Sequence, residues 1–122
     1  MDKIESHRDL KVWQKGMDLA VEAYRLAKIL PKSEEYRLTN QLLRAAASVP
    51  ANIAEGHARG TRRDYAHFVS VARGSVAETE TFLLLAIRAG ILTKDQTDLA
   101  LTLTDELSRM LNSLRQRLIL NS

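Results

Sequence analysis

Two arginines in an electrostatically awkward place are the strongest chemical signal in this 122-residue chain. Arg62 and Arg63 follow Thr61, a residue type that opens helices, so both sit at the partially positive end of a helix dipole. When exposed, that placement costs each roughly a few tenths of a kcal/mol, and Asp64 relieves only part of it. Backbone amides beside two guanidiniums fit an anion site, with phosphate the obvious anion; ordinary exposed arginines are the alternative. Other groups offer less chemistry. His57 and His67 lie near Glu55 and Asp64, but their spacing matches no established metal site and no cysteine supplies a thiolate. Glu78 and Glu80 are two apart and face different ways on a helix, which favours ion pairing with Arg73 or a neighbouring helix over acid–base work. Ser48, Ser70 and Ser75 have no histidine at an activating spacing. The chain therefore reads as a non-enzyme that needs no cofactor or metal.

Composition sets the wider frame. The formal net charge of +3 permits an anionic partner without demanding one. Absence of cysteine fits a reducing cytoplasm. The opening residues Met-Asp-Lys-Ile-Glu-Ser-His-Arg-Asp lack the apolar core of a signal peptide, and no apolar run approaches the roughly 20 residues that span a bilayer. A cytoplasmic protein with no membrane partner is expected.

The elements that must position these groups are four helices in one domain, an all-α, antiparallel up-down-up-down bundle. The first follows Asp9 as N-cap and runs from Leu10 to about Ile29, before Pro31. Two rows share its apolar stripe, one through Leu10, Trp13, Met17, Ala20, Tyr24 and Ala27, the other through Val12, Gly16, Leu19, Ala23, Leu26 and Leu30. Lys11, Lys15, Asp18, Glu22 and Arg25 form its wet face. Ser33 caps the second helix, whose inward row includes Tyr36, Leu43, Pro50 and Ile53. That helix continues through Pro50 with a kink and takes Gly56 as its C-terminal cap. Thr61 caps the third helix, which ends at Gly90; Gly74 and Ser75 within it permit close backbone approach. Thr93 to Gln96 has the form of a capping box opening the fourth.

The topology gathers Arg8, Lys11, Arg59, Arg62, Arg63, Arg115 and Arg117 at one pole, while acids concentrate along the middle. Arg37 and Arg44 could extend a basic surface along the second helix, or they could form an ordinary solvated face. No Gly-rich phosphate loop or recognition-helix motif accompanies them, so base readout is not expected. The run Phe82 to Ile87 turns apolar atoms all round its axis, more than a small bundle normally hides. Self-association is expected, with Trp13, Phe82, Leu84 and Leu85 at the contact; burial under neighbouring helices or loops is the alternative.

Leu43-Arg44-Ala45-Ala46 and Ser48-Val49-Pro50-Ala51-Asn52-Ile53-Ala54-Glu55-Gly56 carry a family likeness, extended by Leu10 to Trp13, Arg59, Tyr65, Phe68, Ala72 to Glu78 and Arg109 to Leu111. The chain resembles the bacterial four-helix-bundle proteins encoded in intervening sequences of large-subunit ribosomal RNA genes. A related branch comprises the accessory variability proteins of diversity-generating retroelements. His57-Ala58 stands where an aromatic residue is expected in that pattern, and Ile91 where tyrosine is common. The resemblance implies a homo-oligomer, commonly a pentamer, with no catalytic residues. It also implies, through the retroelement branch, basic surfaces that bind nucleic acid and a reverse transcriptase. The expected function is low-specificity binding of structured RNA or DNA at the basic pole; the alternative is a scaffold that recruits a protein partner.

Overall fold

Short connections between long amphipathic segments force neighbouring helices to run antiparallel. The computed structural model describes residues 4–120, and among them the long elements are α1 (Lys11–Ile29), α2 (Asn40–Ala58), α3 (Arg62–Arg88) and α4 (Lys94–Leu120). Each helix packs on the next, and α4 closes the bundle against α1. The core is aliphatic: Leu19, Leu26, Leu42, Val49, Ile53, Val69, Leu83, Leu107 and Leu111 are buried to within a few percent. Of the two apolar rows on α1, the one through Val12, Gly16, Leu19, Ala23, Leu26 and Leu30 faces this core. The other flanks it, leaving Met17 and Tyr24 exposed.

Several boundaries follow from local side-chain chemistry. Thr61 Oγ1 accepts from the Asp64 amide at 3.1 Å and starts α3. Thr93 and Gln96 form a reciprocal box, with the Thr93 amide donating to Gln96 Oε1 at 2.9 Å and the Gln96 amide to Thr93 Oγ1 at 3.1 Å. Gly90, at φ 75°, takes the left-handed turn that ends α3. Helix α2 runs through Pro50 without interruption. The ring is buried against Gly16 of α1, where an added Cβ would meet Pro50 atoms at 3.4 Å. A glycine there lets the two backbones approach, and that packing offsets the missing hydrogen bond of the proline.

Other boundaries differ from expectation. Asp9 does not cap α1. Its carboxylate turns back to accept from the Glu5 and Ser6 amides at 2.9 and 3.1 Å, closing a capping box with Ser6 around a 3₁₀ turn, His7–Asp9. Leu10 then occupies the N-cap position of α1 with no side-chain cap. These amides hold the Asp9 carboxyl below the usual carboxylate range. Ser33 caps nothing; it lies inside a second 3₁₀ turn, Lys32–Glu34, followed by a π-helical turn, Glu35–Thr39. Arg37 sits there with non-helical angles, φ −116° and ψ −106°. The insertion rotates what precedes it, so Tyr36 is 87% exposed instead of inward.

Gly56 is likewise no cap. The helix continues to Ala58, and Gly60, at φ 84°, makes the turn. Gly56 is buried because α3 crosses it: a Cβ there would lie 2.7 Å from Phe68 Cβ. On α3, Ser75 rather than Gly74 meets a neighbour, pairing its hydroxyl with that of Ser48 on α2, while Gly74 faces open space. Glu22, expected on the wet face, is only 6% exposed. Arg25 neutralises it through Nε at 2.7 Å and also donates to the Gln96 carbonyl at 3.1 Å, joining α1 to the start of α4.

Candidate nucleic-acid interface

The antiparallel order brings the start of α1, the α2–α3 turn and the end of α4 to one pole. Arg62 and Arg63 occupy the first two positions of α3, exposed, and neither makes an ion pair among the described residues. Arg8 is exposed on the 3₁₀ turn, and its carbonyl accepts from Gln14 Nε2 at 2.9 Å. Lys11 opens α1. Arg59, at the C-cap of α2, lies 5.0 Å over the Phe68 ring while its Nε bonds Glu55 Oε2 at 2.8 Å. Arg115 is spent on structure, donating from Nε to Ser70 Oγ at 2.7 Å across α3 and α4. Arg37 and Arg44 stand apart: Arg37 is in the π turn at the opposite pole, and Arg44 lies on the α2–α3 side with Gln41, Ser48, Glu78 and Phe82.

The same pole is rich in rings. His7 meets Trp13 edge-on at 5.2 Å, His57 meets Tyr65 at 5.7 Å, and His67 meets Phe68 at 5.1 Å. No cluster of His, Asp and Glu suited to a metal ion occurs among the described residues. Nor, among them, is any helix long and apolar enough to cross a membrane. Of the residues expected at a contact between copies, Leu84 and Leu85 are 43% and 52% exposed. Trp13 and Phe82 are half-buried.

A family model for the 23S rRNA-intervening sequence protein matches residues 8–113. The chain belongs to that family. Its bundle is similar to a solved structure from Bacteroides thetaiotaomicron, a protein of unknown function in the S23 ribosomal protein family. That likeness has a TM-score of 0.80 and 30% identity, covering 85% of this chain and 97% of the other. No curated protein matches the sequence.

One feature of this intervening-sequence bundle belongs to no single stretch of its sequence. Between the start of α1 and the end of α4 runs a groove of about 430 Å³, floored by Leu10, Tyr65, Met110 and Leu114 and edged by Lys11, Arg109 and Arg117. Burial raises the Tyr65 phenol above its ordinary pKa, and the charge of Arg117 opposes part of that rise. Arg109, Ser113 and Arg117 recur every four residues, a spacing that places them on one face of α4. That row was visible in the sequence; its opposition to Lys11 and Tyr65 required the closed bundle.

Proposed function

We propose that this protein is a non-catalytic, self-associating cytoplasmic bundle that binds structured RNA or DNA through its basic pole, without reading base sequence. The observation that carries this reading is the pair Arg62 and Arg63, held in solvent at the positive end of α3 with no acid among the described residues to neutralise them. Cations placed against a helix dipole, beside free amides, are arranged for an anion rather than for stability. Arg8, Lys11 and Arg59 widen the surface to several phosphates.

The exposed apolar residues Leu84 and Leu85 on α3, with Val21 and Tyr24 on α1, support assembly of several copies. Five is the number that the family resemblance favours. A ring presenting its basic poles on one side multiplies weak phosphate contacts by avidity. Affinity should fall with salt by about 0.9 log units per log unit of salt for each duplex phosphate contacted. Replacing Arg59, Arg62 and Arg63 together with glutamate should abolish most binding while circular dichroism stays unchanged. Salt-independent affinity, or full binding by the triple variant, rejects the reading. The same apolar residues support a second reading, a scaffold for a protein partner, which recovery of one partner after nuclease treatment would favour.

A further inference from the structure

We propose that the groove between the start of α1 and the end of α4 accepts one unpaired nucleotide, with its base against Tyr65 and its flanking phosphates on Lys11, Arg109 and Arg117. The inference rests on the nucleic-acid reading above and narrows it from any strand to an unpaired one.

A phosphodiester alone has no use for this site. Phosphate is hydrated and gains nothing from Leu10, Met110 and Leu114, whereas the face of a base is planar, weakly hydrated and suited to an aromatic ring set among aliphatic side chains. The groove, at about 430 Å³, falls in the usual range for pockets that hold a small organic ligand. A duplex keeps its bases stacked inside and could touch only the rim.

Charge supplies the second half of the match. Three cationic side chains border an apolar floor, the pattern required by a ligand with a flat uncharged centre and anionic ends. Among the described residues Arg109 is paired only with Asp105, one helical turn away at 2.9 Å, and both are exposed. Such a pair is worth little in water, so a phosphate can displace the carboxylate at small cost. Base stacking tolerates any sequence, which agrees with a surface that lacks base-edge readout.

The test compares fluorescently labelled oligonucleotides of equal length at one salt concentration: a thymidine strand, an abasic strand carrying the same phosphates, and a duplex. Ser113 is exposed at the groove and can be enlarged without changing charge or adding a ring, so Ser113→Met blocks the site; Tyr65→Leu removes the stacking ring. Wild-type protein should bind the thymidine strand about tenfold more tightly than the abasic one. Ser113→Met should erase that difference and leave duplex affinity unchanged. Because Tyr65 also packs on Gly56, Tyr65→Leu counts only alongside the uncharged plug. If wild type treats abasic and thymidine strands alike, or Ser113→Met keeps the preference, the groove assignment is wrong while duplex binding still supports the basic pole. If wild type binds no strand at all, both readings fall.

Discussion

Replacing Gly56 with alanine should destabilise the protein, although alanine is the better helix former. The added Cβ would lie 2.7 Å from Phe68 Cβ, 3.2 Å from Tyr65 Cδ1 and 3.3 Å from the Tyr65 carbonyl oxygen. The nearest atom belongs to the base of a side chain and cannot swing away, so the first turns of α3 must move outward. Overpacking of this kind costs about 1–3 kcal/mol. Helix propensity returns roughly 1 kcal/mol, leaving a net loss of up to about 2 kcal/mol. For a chain of 122 residues, at roughly 4 °C per kcal/mol, that corresponds to a fall in Tm of up to about 8 °C. Gly74→Ala is the matched control, because nothing lies within 4 Å of its Cβ position and only the propensity gain remains. Thermal unfolding followed by circular dichroism, at one protein concentration, should therefore move in opposite directions for the two variants. A Gly56→Ala protein stabilised as much as Gly74→Ala would refute the claim that α2 and α3 meet at this glycine.

Three further outcomes follow from the geometry. In the proposed assembly, Leu84→Lys combined with Leu85→Lys should shift the mass in sedimentation equilibrium to that of one chain while preserving helicity; an unchanged mass rejects association through this face of α3. Asp9 has a folded pKa below its unfolded value, so it contributes stability above about pH 4 that is lost as pH falls through the lowered value. Urea midpoints of Asp9→Asn should consequently converge on those of wild type in acid and lie below them at neutral pH. Arg25→Met leaves the buried Glu22 carboxylate without its partner and should lower Tm, and adding Glu22→Gln should restore part of the loss. Absence of that coupling in the double-mutant cycle would show that the pair is not formed.

What could be read from the chain was local. Thr61, Thr93 with Gln96, and Gly90 act within one helical turn of themselves, and each marks the boundary it was expected to mark. The start of α2 was not legible, because Pro31 to Glu35 offers several equally good stops and a π turn adds a residue that no periodicity announces. Tyr36 fell on the wrong side for that reason. Gly56 resembles a helix end in isolation and becomes an interior residue only when Phe68 and Tyr65 cross it. Glu22 reads as solvated until Arg25 and the start of α4 enclose it. The place of Arg62 and Arg63 at the start of α3 was legible because Thr61 caps that helix from within its own first turn. The groove beside it was not, since its two walls are contributed by residues about a hundred positions apart.

The pairing of α1 with α4 is the extensive helix contact that does not join neighbours along the chain. Hairpins of consecutive helices close small loops, whereas this seam must close nearly the whole polypeptide, a step with a larger entropic cost. Assembly should therefore finish with the zipping of this seam, and the same line should open first when the fold relaxes. Lys15 with Glu106, 2.5 Å apart, and Arg25 with the Gln96 carbonyl act as latches along it. Amide exchange in the segments flanking those latches should be faster than along the α2–α3 contact, making the first and last helices the pliable edge of an otherwise stiff bundle.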